Sequence, residues 1–190
     1  MNINVFANYY EDKNTKRRGE LETCMQNNIN NPHINFIPIT SQIRITFNDF
    51  FNICNNYSDK DDISIVANLD IYFDETIALA RSMMPGTFWS LGRWDYKKSG
   101  AIIHSNRPDS QDAWVIKGHF KKINANFTMG KCGCDNRLAY EAKKAGYVVV
   151  NPSKSVKAIH MHISNIRNYK RRKKQDVVPG PYHTITPTEL

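Results

Sequence analysis

Short apolar runs alternate with longer segments of helical spacing along the first half of the chain. Residues 4–7 read as a first strand, followed by a polar loop through Tyr9, Tyr10 and Glu11. Over residues 17–28, Leu21, Cys24 and Met25 predict a helix with a modest apolar face, stopped by repeated Asn and by Pro32. Residues 33–39 read as a second strand, 47–54 as a second helix, and the run from Ile63 as a third strand. This β-α-β-α-β order predicts an α/β fold: a mainly parallel, central mixed sheet flanked by helices. Farther on, residues 74–84 read as a helix stopped by Pro85-Gly86, and 87–92 as a strand leading into Arg93-Trp94-Asp95. Residues 97–110 read as a loop and 113–116 as a strand. A helix within 133–145 ends at Gly146, and two strands follow at 147–150 and 156–163. Beyond Tyr169 the chain is basic, then Pro-rich, and is expected to pack little.

The most informative stretch is Ile63-Ser64-Ile65-Val66-Ala67-Asn68-Leu69-Asp70-Ile71-Tyr72-Phe73-Asp74. A buried apolar strand runs into oxygen-bearing side chains. Strand residues alternate faces, so Asn68 and Asp70 would share one face if the strand continues that far. Oxygen ligands at such a place suit a hard divalent cation, Mg²⁺ or Mn²⁺, of the kind that holds a phosphate where α/β sheets bind ligands. The alternative is an Asp-rich turn with Asp70 capping the next helix.

The length of 190 residues suits one domain, or one domain with a lobe, and 41% hydrophobic residues supply a core. No apolar run approaches the roughly 18 residues of a spanning helix, and the N-terminus lacks the pattern of a signal peptide, so a cytoplasmic protein is expected. The four cysteines (Cys24, Cys54, Cys132, Cys134) make no paired zinc framework, although Cys132-x-Cys134 with His160-x-His162 is a conceivable metal set. The net charge of +8 favours polyanions without choosing among them. Much of it sits in Lys170-Arg171-Arg172-Lys173-Lys174, beside Arg167 and Tyr169, which keeps a nucleic-acid-binding module as an alternative. No helix-turn-helix, RRM or zinc-finger pattern accompanies it, so a solvated tail or a weak contact with an anionic membrane or polymer is the plainer account.

Several pieces recur together in one order: Asn68-x-Asp70-Ile71 after a hydrophobic strand, Arg93-Trp94, and Ser110-Gln111-Asp112-Ala113-Trp114. Then come Gly133-Cys134-Asp135-Asn136-Arg137, Gly146-Tyr147 leading to Asn151-Pro152-Ser153, and His160-x-His162-x-Ser164-x-x-Arg167-x-Tyr169. In this the chain resembles nucleotide-sugar glycosyltransferases of the GT-A fold, and most of all the type with which large algal viruses glycosylate their capsid protein. The resemblance spans about residues 3–169. It implies a single Rossmann-like GT-A domain, with residues 1–95 binding the donor, 96–169 shaping the acceptor site and 170–190 as a tail. It implies hexosyl or deoxyhexosyl transfer from a nucleoside-diphosphate sugar, a UDP-sugar first, to a glycan or glycoprotein. For a viral chain the setting would be the host cytoplasm. The family's Asp-x-Asp motif holds Mn²⁺ or Mg²⁺ on the diphosphate. Here Asn68 replaces the first Asp, so Asp70 carries the metal expectation, with His160 and His162 as added ligands. The same replacement leaves open a non-catalytic sugar-nucleotide-binding protein.

Around that frame, Arg17, Arg18 and Arg44 lie near the ends of the early strands and are candidates for the diphosphate, or else members of surface salt bridges. Tyr9 or Tyr10 could stack on the base or pack in the core. Arg93, Trp94 and Asp95 could give the sugar ring hydrogen bonds and an apolar floor. An inverting transfer needs a general base on the acceptor hydroxyl, and Asp135 and Asp112 are the candidates, Asp135 preferred for its motif. The alternatives are a helix N-cap for Asp135 and a turn residue for Asp112. A retaining transfer would need no such base.

Overall fold

The computed structural model describes residues 1–41, 43–166 and 176–190. The chain is α/β, with a mixed six-stranded sheet flanked by helices and a second sheet of four strands. The strands are β1 (Ile3–Tyr9), β2 (Asn35–Thr40), β3 (Ile63–Ala67), β4 (Ile71–Phe73), β5 (Thr87–Leu91), β6 (Arg93–Tyr96), β7 (Ile102–His104), β8 (Ala113–Lys117), β9 (Val148–Val150) and β10 (Ala158–His160). The helices are α1 (Thr15–Ile29), α2 (Phe47–Tyr57) and α3 (Cys134–Lys144), with a 3-10 helix at Glu75–Ser82.

The larger sheet has the order β2-β1-β3-β8-β5-β9. β1 runs parallel to β2 and β3, and β5 parallel to β9, but β8 runs antiparallel to both neighbours. The expected mainly parallel sheet is therefore two parallel blocks joined through a reversed strand. β8 comes from the second half of the sequence and lies between two strands of the first, so both halves share one sheet.

Alternation along the strands builds two cores. Phe6, Val66 and Trp114 face Phe47, Phe50 and Phe51 of α2 and Leu138 and Ala142 of α3. Their neighbours Val5, Ile65 and Val115 face the opposite way, onto Phe73, Ile77, Ala80 and Val156. Helix starts are satisfied locally. The Asn14 side chain caps α1 through the Lys16 and Arg17 N–H groups, and Thr46 and Asp49 form a reciprocal capping box on α2.

The chain passes from one sheet to the other at two joints. β3 stops at Ala67, residues 68–70 turn, and β4 begins in the second sheet at Ile71. The Asn68 N–H still goes to the Asp112 carbonyl, one position beyond the Ala67–Ala113 pair, and the Ile71 N–H then bonds back to the Asn68 carbonyl, closing the turn that ends the strand. Asn68 and Asp70 are consequently turn residues rather than same-face members of one strand, a correction to the expectation from alternation. The second joint is Gly92, between β5 and β6. A Cβ there would lie 3.2 Å from Ser153 Oγ and 3.3 Å from Asn151 Nδ2, closer than packing tolerates without a shift.

Three further expectations change. The segment read as a helix over 74–84 is helical over Glu75–Ser82, as a 3-10 helix, and its cap is Asp74, not Asp70. The supposed loop 97–110 contains β7, which pairs with β6. Residues 176–190 do pack: Val178 and Ile185 are buried, and Thr188 exchanges backbone hydrogen bonds with Lys154 and Asn151. Asn151 is the anchor, donating through Nδ2 to the Ile185 carbonyl (3.1 Å) and accepting from the Gly92 N–H through Oδ1 (2.9 Å). The basic run 170–174, with Arg167 and Tyr169, lies outside the described residues. Among the described residues no helix is long and apolar enough to cross a membrane.

Candidate active site

A cavity of about 530 Å³ opens where the carboxyl ends of β1 and β3 meet the start of β8 and the N-terminus of α3. Its size falls within the range of small-ligand sites. Ten of the residues picked from sequence line it: Tyr10, Arg17, Arg44, Asn68, Asp70, Arg93, Asp112, Asp135, His160 and His162. Tyr9, Arg18 and Trp94 do not. Tyr9 packs against Ala7, Leu21 and Leu69. Arg18 is 38% exposed and pairs with Glu11. Trp94 donates its indole N–H to the Ser153 carbonyl (2.7 Å) and packs on His104, so it serves the second sheet.

One end of the cavity is a chain of compensated charges. β10 lies between β4 and β6 and sets His160 opposite Ile71 and Asp95. His160 Nε2 is 3.2 Å from Asp70 Oδ2, and its Nδ1 is 3.5 Å from Asp95 Oδ1. Arg17 reaches the same oxygen of Asp70, and its Nη1 also donates to Glu20 Oε2 (2.9 Å) and the Met161 carbonyl (3.0 Å). Glu20 in turn accepts from the Ser164 N–H and hydroxyl. Burial opposes the charge on Asp70, but the His160 and Arg17 cations more than offset it and hold its carboxyl far below the usual range. Burial likewise works against charged His160, yet the Asp70 and Asp95 carboxylates raise its pKa to about 9. Arg17 is thus a clamp between α1, the 68–70 turn and the segment after β10, rather than a cation held in reserve for a diphosphate.

Asp70, His160 and His162 each offer a ligand atom, all within 4.8 Å of one another, which is the metal cluster found among the described residues. β10 ends at His160, so His162 reaches the cluster from beyond the strand rather than from its face. His162 Nε2 lies 2.7 Å from the Ile166 carbonyl and must carry its proton there, leaving Nδ1 for a ligand. Burial and the Arg17 charge lower its pKa, which favours the neutral, ligating form. One carboxylate and two imidazoles fit Mn²⁺ better than Mg²⁺, which prefers all-oxygen ligands. A cation bound here would displace the His160 proton and compete with Arg17 for Asp70. The four cysteines are free thiols; Cys132 and Cys134 line the cavity at α3, outside that cluster.

Between the two ends, Asp112 is held. It accepts from Asn68 Nδ2 (2.7 Å) and from Arg93 Nη1 (3.3 Å), while Arg93 Nε donates to Asp95 (3.0 Å). Asn68 spends its amide on this carboxylate.

At the other end Asp135 makes no direct ion pair among the described residues, Arg107 acting on it only at longer range. The N-cap of α3 is Gly133, in the left-handed region at φ 79°, so Asp135 sits in the first turn and is not the cap. Its carboxylate accepts from the Gln111 N–H (3.3 Å) and the Asn136 N–H (2.9 Å). Burial pushes its pKa up to about 6, with the Asp112 charge adding to the rise. Among the lining residues without a role in the sequence reading are Gln111, Asn136 and Tyr182. Gln111 and Asn136 stand inside quoted motifs, adjacent to the favoured Asp residues. Tyr182 had no local signal, because only the folded-back C-terminal segment carries it here.

No protein-family model matches the chain, and no curated protein matches it either.

Proposed function

We propose that this chain is a metal-dependent glycosyltransferase moving a sugar from a nucleoside-diphosphate sugar, a UDP-sugar first, to a glycan or glycoprotein hydroxyl. The observation that carries the reading is a pair of part-buried carboxylates in one cavity whose environments push their pKa values apart, Asp70 down and Asp135 up. Asp70, His160 and His162 would hold Mn²⁺, which when bound supplies Lewis-acid stabilisation to a departing diphosphate. Arg44 lines the cavity beside Gly130 and adds positive charge there. Asp135 takes the acceptor proton. As the acceptor oxygen bonds to the anomeric carbon, the bond to the diphosphate breaks and the hydroxyl proton passes to the Asp135 carboxylate, which suits an inverting transfer. A pKa of about 6 leaves that carboxylate ionised at pH 7 yet basic enough to accept a proton.

A second reading, a sugar-nucleotide-binding protein without turnover, is favoured by one observation: Asn68 turns its amide to Asp112. Turnover with any donor excludes it. Thermal unfolding with a panel of nucleotides, with and without Mn²⁺, tests the binding common to both. A ligand at about 100 times its Kd adds roughly 2.7 kcal/mol. The expected result is a UDP or UDP-sugar shift that requires Mn²⁺ and disappears in Asp70→Ala. Folded protein that shifts with no nucleotide overturns the proposal.

A further inference from the structure

Among the described residues, seven buried side-chain polar atoms have no hydrogen-bond partner within the chain, and four of them belong to residues lining the cavity described above: Asn8 Oδ1, Gln111 Oε1, Trp114 Nε1 and Asn136 Oδ1. An unmet buried polar atom costs about 1–3 kcal/mol, so such an atom takes a partner from water or a ligand, and beside a cavity a ligand group can replace the water. Two of the four flank Asp135. The Gln111 backbone N–H and the Asn136 backbone N–H both donate to its carboxylate. Their amide orientations are set by other contacts, since Gln111 Nε2 donates to the Pro108 carbonyl (2.9 Å) and Asn136 Nδ2 to the Asp109 carbonyl (3.1 Å). The oxygens left over are acceptors. They call for a ligand that donates, not for a phosphate.

The C-terminal segment adds an aromatic surface to the same wall. The Tyr182 ring lies against Gly133, where a Cβ would come within 3.0–3.2 Å of it. Its hydroxyl donates to the Val178 carbonyl, and the next residue ties down through the His183 N–H to the Asn136 carbonyl. The ring is therefore held in place but is 48% exposed. A fixed, half-open aromatic ring beside two unmet carbonyl oxygens and a basic carboxylate matches a pyranose. Its C–H face packs on the ring, and its hydroxyls donate to the oxygens on either side.

We propose that Tyr182, Gln111 and Asn136 form a subsite around Asp135 that binds the acceptor as a neutral sugar ring, so that the acceptor is a glycan hydroxyl and not a Ser or Thr side chain. This rests on the glycosyltransferase reading for its purpose, though not for its geometry. Tyr182 stacks on the ring, and Gln111 Oε1 and Asn136 Oδ1 orient the hydroxyl that Asp135 deprotonates.

The test is saturation-transfer NMR on the full chain with Mn²⁺ and UDP present. The probes are methyl glycosides of the common neutral hexoses and 6-deoxyhexoses, set against a Ser/Thr-containing peptide. At least one glycoside is expected to bind, about tenfold more weakly in Tyr182→Ala and in Asn136→Leu, with Tyr182→Phe close to wild type. Equal binding to Tyr182→Ala, with folding confirmed by circular dichroism, overturns the subsite, as does binding of the peptide alone. UDP signals are read in the same samples. UDP binding with no glycoside binding overturns the subsite and leaves the glycosyltransferase reading standing. Glycoside binding lost in Tyr182→Ala but without any UDP binding supports the subsite and overturns that reading. No binding of either overturns both.

Discussion

Two carboxylates a few strands apart in one cavity have opposite fates. Asp70 is packed between Arg17 and His160, and the two cations keep it ionised despite its burial. Asp135 is buried against two backbone N–H groups and a like charge at Asp112, and its pKa climbs to about 6. Burial acts in the same direction on both, so the partners decide the outcome. The first arrangement fixes an ionised carboxylate that Arg17 and His160 already neutralise, so a metal ion would have to displace the His160 proton to bind there. The second leaves a base whose proton affinity lies close to neutral pH. On the proposed reading, the first end would hold the donor's diphosphate through a metal and the second would take the acceptor proton.

The sharpest way to break this contrast is at its ionised end. Asp70→Ala leaves Arg17 and His160 without their shared anion, and losing one partner of a buried pair costs about 3–5 kcal/mol. Urea denaturation is expected to show that loss, and Mn²⁺ titration followed by electron paramagnetic resonance to show binding abolished. Retained Mn²⁺ binding would remove Asp70 from the ligand set.

The basic end is broken by Asp135→Asn. A general base contributes about 10²–10⁴ in rate, so transfer is expected to fall by that factor while donor binding persists. Stability is expected to move the other way. The native pKa lies above the unfolded value, so between about pH 4 and about pH 6 the native state holds more protons and wild-type stability falls as pH rises. The loss, up to about 3 kcal/mol, is complete above the native pKa. Asp135→Asn should therefore be more stable than wild type at pH 7.5 and gain little at pH 4, as read by denaturant melts at both. A variant destabilised at pH 7.5 would show that burial does not strain this carboxylate.

Smaller effects sharpen the comparison. Ile185→Ala removes a buried anchor of the C-terminal segment and should cost about 2–3 kcal/mol in a urea melt. A change below about 0.5 kcal/mol would mean that the segment leaves that site open. Arg18→Ala sets the lower bound. Its partner Glu11 is solvent-exposed, so at most about 1 kcal/mol is expected, with no change in nucleotide binding. The neighbouring Arg17, in the buried pair, differs from it by a single position in the sequence.

That neighbouring pair shows the limit of sequence reading. Nothing in the run Lys16-Arg17-Arg18 separates the two arginines; α1 turns one inward toward Asp70 and the other outward toward Glu11. The strands fared better. β1, β3, β5 and β8 are mostly apolar because both of their faces are covered, and such segments are visible locally. β7 was missed because its residues are exposed or half-buried and carry no burial pattern. The second-sheet placement of β4 was missed because the turn at 68–70 depends on Asp112, more than forty residues away.

Composition and periodicity alone determined that the chain is α/β, where most strands and helices lie, and that oxygen-rich side chains follow the third strand. These are local properties: apolar spacing, turn residues and capping groups act over a few positions. Tertiary structure decided which of those side chains share a cavity, which are paired, and therefore which proton each one holds. It also decided that the C-terminal segment forms part of the wall. Those outcomes depend on distances between residues far apart in sequence, and a charge is stabilised or strained by what surrounds it in space, not by its neighbours along the chain.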